Sequence, residues 1–437
     1  MPVRFRLNIM MFLQFFIWGV FFVTMGGYLA KLFENEEGVN SIIGRCYATQ
    51  TWAALFAPLI VGYIGDRLMN KEKLNGILHL AGAGLLFWVS TITDPDMMFW
   101  GLLAFFICYM PTLALVNTIT FQNVRDIEGD FPKVRLWGTI GWIIAGLTVS
   151  QSFFGLGDLP ILPGIEDAGG TAVQFQLAAV VSAIYGVFSF TLPASPPEGR
   201  GESVNLIKVL GFDALSLLLN PSYLVFAISS FLICIPLAFY YARTGDFVNV
   251  VHFGESTGGV MALGQVSEIF FMALVPFFLV RLGVKKMLLV GMLCWALRYA
   301  LFGLMPSSAA LVVLGIAVHG ICYDFFFVTG QLYTDRVAPK DMRTSAQALV
   351  GLLTYGAGML VGNYVAGWWG DKIELDPTKE GWLVAAQDFW LMPAMFAVAV
   401  AVLFFVLFRD NSQTSPDGEP GEGTDTMNPH LNQAAMD

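Results

Sequence analysis

Asp324 stands in the middle of a long apolar stretch, within His319-Gly-Ile-Cys-Tyr-Asp-Phe-Phe-Phe-Val-Thr-Gly, and Glu268 stands in another, Gly264-Gln-Val-Ser-Glu-Ile-Phe-Phe. A charge at the centre of a bilayer costs about 2.5 to 3.5 kcal/mol on insertion scales, so such a carboxylate normally faces a partner or a wet cavity. Two of them point to a passage for protons or solute. Other polar groups repeat at helical spacing. Arg135, Thr139 and Trp142 lie at i, i+4 and i+7 and give one helical face a cation, a hydroxyl and a ring. Gln265 and Glu268 share a face at i, i+3. His319 and Tyr323 share another at i, i+4, with Asp324 about 100° further round.

The elements that carry these groups are membrane helices. Hydrophobic residues make up 56% of the 437 and charged residues 13%, with mean hydropathy +0.66; a soluble domain carries about twice that charge. The net charge of −10 gathers in loops and in the tail, and no basic face suited to nucleic acid is present. Apolar windows long enough to span fall at roughly 8–30, 42–65, 74–92, 97–122, 134–154, 173–193, 222–243, 257–280, 286–304, 308–333, 344–369 and 384–408. That predicts an all-α polytopic membrane protein with twelve transmembrane helices. The first window is too long for a signal-peptide core and is read as a retained helix. Cys46, Cys108, Cys234, Cys294 and Cys322 have no metal-ligand spacing and read as small buried hydrophobes.

Lysine and arginine orient the chain. Of the 23 basic residues, 17 fall on one side of the predicted spans, while Glu34, Glu36, Glu37, Asp94, Asp96, Asp158, Glu166, Asp167, Asp371, Glu374 and Asp376 fall on the other. The positive-inside rule makes the basic side cytoplasmic, with both termini inside. The chain divides into an N-terminal six-helix bundle (1–193), a cytoplasmic linker (194–221), a C-terminal six-helix bundle (222–408) and an acidic tail (409–437) expected to be disordered. Two such halves predict a pseudo-symmetric pair with ligand bound between them near the midplane.

Gly62-Tyr-Ile-Gly-Asp66-Arg67 resembles the loop motif of the major facilitator superfamily, without its later Gly-Arg portion. The resemblance implies a cytoplasmic gate at Gly62, Asp66 and Arg67. Further segments (Phe12-Leu-Gln-Phe-Phe-Ile-Trp18-Gly, Tyr109-Met-Pro-Thr-Leu-Ala-Leu-Val-Asn117, Arg135-Leu-Trp-Gly-Thr139-Ile-Gly-Trp142, Gln265-Val-Ser-Glu268 and Tyr323-Asp324) resemble the bacterial nucleoside:proton symporters of that superfamily along nearly the whole chain. This implies nucleoside import by proton symport through alternating access. Arg135, Thr139, Trp142, Gln265, Glu268, His319, Tyr323 and Asp324 would bind substrate, and Asp324, with Glu268 as the alternative, would carry the proton. Carboxamide and carboxylate suit the ribose hydroxyls, and Tyr and Trp faces suit the base.

Span seven departs from the pattern, with Ala238 and Tyr241 where the family's broad-specificity permease has amides, and His319 stands where that permease has Tyr. A proton-coupled sugar or polyol transporter of the same fold, or an uncoupled nucleoside facilitator, therefore remains an alternative. Bland roles stand beside the functional ones: Arg298 could order packing between helices, His79 could be a hydrogen-bonded packing residue, and Asp324 and Glu268 could belong to a buried ion pair. No HExxH, G-x-S-x-G or Walker A motif points to an enzyme. The expectation is a monomeric bacterial inner-membrane protein, without metal or cofactor, energised by the proton gradient, whose partners are nucleoside, protons and the lipid bilayer.

Overall fold

A computed structural model describes residues 2–60, 64–65, 68–159, 161–162, 165, 167–197, 212–340 and 342–410, with only the backbone described at 58–60 and 127–128. The N-terminal half contains α1 Val3–Gly19, α2 Met25–Leu32, α3 Val39–Ile60, α4 Lys71–Val89, α5 Pro95–Asn123, α6 Ile127–Ser150 and α7 Val173–Ser189. The C-terminal half contains α8 Pro221–Met261, α9 Leu263–Leu304, α10 Ala309–Val337, α11 Arg343–Lys372 and α12 Lys379–Leu407. The first pass is α1 continued by α2 after a break at 20–24. Helix α9 supplies two passes, because the chain reverses at Gly283, where φ is +69°. Among the described residues twelve passes result, six in each half. Each bundle closes on its own aromatic-rich core, one around Phe21, Phe105 and Tyr109, the other around Tyr299, Phe302 and Trp390.

Span seven runs past its expected end at 243. Arg243, at the end of the expected span, and Asp246, beyond it, are both fully buried, with Arg243 Nε 3.0 Å and Nη2 2.8 Å from Asp246 Oδ2. An ion pair one turn apart inside the helix offsets both charges, although Asp246 Oδ1 has no hydrogen-bond partner, and the helix runs on through both residues. Arg243 also donates to Asn40 of α3 in the other bundle and lies 5.2 Å from the Trp382 ring. Expected elements at 194–221 are described only in part; residues 212–219 form a 3₁₀ helix. Gly62, Asp66 and Arg67, the expected gate, lie outside the described residues, as do 411–437 of the expected tail.

The two bundles meet tightly at the end that carries the acidic loops. Gly245 of α8 presses on the Val23 carbonyl so closely that no Cβ could be accommodated there. Helix α3 follows Gly38, which has no side chain to cap it, and the other bundle supplies the missing acceptor. Asp371 of α11 accepts the N–H of Asn40 through Oδ1 (3.1 Å) and that of Ser41 through Oδ2 (3.1 Å). Asn40 Nδ2 donates back to the Leu375 carbonyl at 3.0 Å. A carboxylate at a helix N-terminus is favoured by both hydrogen bonding and the helix dipole.

Removing a cap costs about 1 kcal/mol, so Asp371→Ala is expected to raise the population open at this end roughly fivefold. Maleimide labelling of Ala242→Cys, a position buried beneath this seal, in a variant lacking the five native cysteines, checks it. Labelling no faster than without Asp371→Ala would remove the cap from the seal.

Candidate substrate-binding site between the bundles

A central cavity of about 120 Å³ lies between the bundles, lined by Phe15, Trp18, Phe22, Gln50, Arg135, Gly138, Thr139, Trp142, Tyr241, Gln265, Glu268, Tyr323, Tyr355 and Met359. The N-terminal wall is built on α6, whose 3.6-residue period turns Arg135, Thr139 and Trp142 to one side, with Gln50 added from α3. The C-terminal wall is Tyr241 from α8, Gln265 and Glu268 from α9, Tyr323 from α10, and Tyr355 and Met359 from α11. Six residues singled out from sequence (Arg135, Thr139, Trp142, Gln265, Glu268 and Tyr323) thus share one cavity. Sequence reasoning did not select Gln50 or Tyr355 as site residues.

Arg135 and Glu268 face the cavity from opposite bundles. No ion pair forms between them among the described residues. Arg135 rests instead on the Phe15 ring, 4.2 Å from its centroid. The side chains of Gln50, Thr139, Tyr241, Gln265 and Glu268 make no hydrogen bond to other described residues. Polar groups left unpaired inside a membrane protein are costly unless water or ligand satisfies them. Rings flank them: Trp142 meets Trp18 at 5.3 Å between centroids and 73°, and the Tyr355 hydroxyl donates to that of Tyr323. Hydrogen-bonding groups in the middle with aromatic faces on both walls suit a ligand that is part polar and part flat.

His319 and Asp324 lie behind this wall rather than on it. His319 is buried against the rings of Tyr240 (5.3 Å) and Tyr323 (5.5 Å) and pairs with Arg298. Asp324 is fully buried, and neither carboxylate oxygen has a hydrogen-bond partner. It opens a π-helical segment, Asp324–Val328, and lies within electrostatic reach of Glu268. A second π segment, Leu352–Gly358, carries Tyr355. Such wide turns often occur at functional sites. Of the two positions where amides were missed in the sequence, Tyr241 reaches the cavity and Ala238 is buried outside its lining.

The family model for nucleoside H+ symporters matches residues 1–413. The chain belongs to the nucleoside H+ symporter family. It is a multi-pass membrane transporter of the major facilitator fold and not an enzyme. It is 40% identical to the putative nucleoside transporter YegT of Escherichia coli K12 over 93% of this chain and 94% of that one. It is 31% identical to the xanthosine permease of the same organism, over 94% and 97%. The crystal structure of the nucleoside transporter NupG superposes with a TM-score of 0.80 at 30% identity, covering 94% of this chain and all of that one.

Gln265→Ala removes one hydrogen-bonding side chain from the wall, worth about 0.5 to 1.5 kcal/mol net. The affinity for a nucleoside such as uridine is expected to fall roughly threefold to tenfold. Equilibrium binding to purified, monodisperse variant checks this, and unchanged affinity would move the site away from α9.

Proposed function

We propose that this chain imports nucleosides together with protons by alternating access, binding the nucleoside between Arg135, Thr139 and Trp142 on one side and Gln265, Glu268 and Tyr323 on the other. The observation that carries this reading is the ring of unpaired polar side chains, contributed by both bundles and bounded by aromatic faces. The ribose hydroxyls can exchange hydrogen bonds with Gln265, Glu268, Thr139 and Gln50. The base can lie against Trp142 or Tyr323. Tyr241 supplies a hydroxyl and a ring face where an amide pair was missing, so base preference follows its shape. The named relatives favour nucleosides over the sugar or polyol alternative.

The sealed end carries the acidic loops. By the positive-inside rule those loops are outside and both termini inside, which makes this conformation closed to the exterior. Residues 194–221 then form the cytoplasmic linker between bundles 1–193 and 222–408, followed by the tail 409–437. One chain supplies both walls of the cavity, which supports a working monomer in the bacterial inner membrane. No metal or organic cofactor enters the scheme; the proton gradient is the energy source.

Asp324, with Glu268 as the alternative, is the proton carrier. A buried carboxylate without partners is expensive to keep, and a role in coupling explains its presence. Protonation from outside neutralises the site and permits the loaded transporter to reorient; release inside resets it. His319 lies behind the cavity wall and acts on the nucleoside through the Tyr323 ring packed against it. One proton moving with a neutral nucleoside gains about 2.3 kcal/mol per 100 mV, enough for roughly fiftyfold accumulation.

Asp324→Asn mimics the protonated side chain. In vesicles with an imposed pH gradient it is expected to abolish uphill uptake of radiolabelled uridine while leaving exchange partly intact. If it still accumulates substrate, Glu268→Gln becomes the decisive variant. Normal accumulation by both would leave an uncoupled facilitator.

A further inference from the structure

Arg298 of α9 is a guanidinium buried at 0% exposure with no carboxylate partner among the described residues. Its surroundings are unusual for an isolated cation. Nε donates to the Gly315 carbonyl at 2.9 Å, Nη2 lies 3.1 Å from His319 Nδ1, and the guanidinium carbon sits 4.1 Å from the centroid of the Tyr240 ring. Arginine has donors only. His319 Nδ1 must therefore accept, which makes the imidazole neutral and puts its one hydrogen on Nε2. That Nε2–H is buried without a partner.

The imidazole held in this way packs against three tyrosine rings. Tyr240 and Tyr323 lie nearly parallel to it (interplanar angles 19° and 30°), while Tyr241 meets it edge-on at 6.4 Å. Tyr241 and Tyr323 are wall residues of the binding cavity, and Tyr323 is tied to Tyr355 through their hydroxyls. The cation thus reaches the cavity through one imidazole whose tautomer and orientation it dictates.

We propose that Arg298 is a positioning residue for substrate recognition: by fixing His319 in the Nε2–H tautomer it sets the Tyr241 and Tyr323 wall against which the ligand binds. Such a role accounts for a buried cation that stability alone does not favour. Replacing a buried ion pair with apolar side chains of similar volume is often neutral or stabilising, and Arg298 lacks even the carboxylate that would offset its charge among the described residues. A purely architectural Arg298 could then be exchanged for methionine without loss of affinity. The inference rests on the cavity being the nucleoside site. Uptake of none of uridine, adenosine and xanthosine by the unaltered protein would count against that reading before Arg298 is tested.

Two measurements decide it. In the unaltered protein labelled with ¹⁵N-histidine, the resonances removed by His319→Phe are expected to report the Nε2–H tautomer; an Nδ1–H signal overturns the proposal without any Arg298 variant. Arg298→Met is then expected to mix the two tautomers and to weaken binding of the transported nucleoside about tenfold, the scale of a lost hydrogen bond to a charged group. The maximal rate is expected to stay within about twofold. Arg298→Lys, which keeps a donor and the charge, is expected to restore the tautomer and most of the affinity. A folded Arg298→Met with unaltered affinity, or with its tautomer unaltered, would sink the proposal.

Discussion

Arg135 and Glu268 set a guanidinium and a carboxyl group on opposite bundles, facing one cavity without an ion pair among the described residues. The rest of the site depends on that separation. Had the two closed into a buried salt bridge, each would satisfy the other, and the cavity between α6 and α9 would collapse onto them. Kept apart, they define a polar gap that a ligand or water must fill. The Phe15 ring under Arg135 supplies part of what the missing carboxylate would. Gln50, Thr139, Tyr241 and Gln265 extend the same condition around the gap, so the binding wall is a set of groups whose partners come from outside the protein.

A gap of this kind survives only if something else holds the bundles together. Among the described residues that work is concentrated at the end that carries the acidic loops. Asp371 caps α3 across the interface, Arg243 bridges Asp246 and Asn40, and Gly245 packs backbone against backbone. Few of these contacts are apolar side-chain packing of the sort that fills each bundle's own core. They are short-range, directional and local, and so can be broken together when the bundles rock. A large greasy interface would resist that motion, because the area exposed on opening would have to be rehydrated.

How much of this was legible in the sequence depended on whether the helix obeyed its ideal period. On α6 and α9 it does, and the spacings of Arg135, Thr139 and Trp142, and of Gln265 and Glu268, led directly to the cavity wall. On α10 the same reading placed His319, Tyr323 and Asp324 at one site. The structure separates them: Tyr323 reaches the cavity, while His319 lies behind it and Asp324, 100° round the helix and opening a π segment, lies behind it too. Tyr355 sits in another π segment and had no regular pattern to announce it. The end of span seven was misjudged for a different reason. A charge counts against a membrane span only while it is unpaired, and sequence hydropathy does not reveal that Arg243 and Asp246 pair one turn apart.

Two clusters of buried polar groups, one in each bundle, are built differently, although the N-terminal bundle also holds unpaired atoms such as Asn75 Oδ1 and the Tyr185 hydroxyl. In the N-terminal bundle His79 pairs through Nε2 with Gln14 Oε1 (3.0 Å) and through Nδ1 with Ser182 (3.2 Å), while Gln14 Nε2 donates to Thr112 (2.7 Å). That network joins α1, α4, α5 and α7 and closes on itself. In the C-terminal bundle Asp324, Gln265 Oε1, His319 Nε2 and Arg298 Nη1 are all buried with no hydrogen-bond partner. A closed network fixes one arrangement, since every alternative loses hydrogen bonds. An open one has little to lose and can gain when a proton, a water or a nucleoside arrives. The contrast places polar groups able to gain a partner in and behind the C-terminal wall of the cavity, and a closed network behind the N-terminal one.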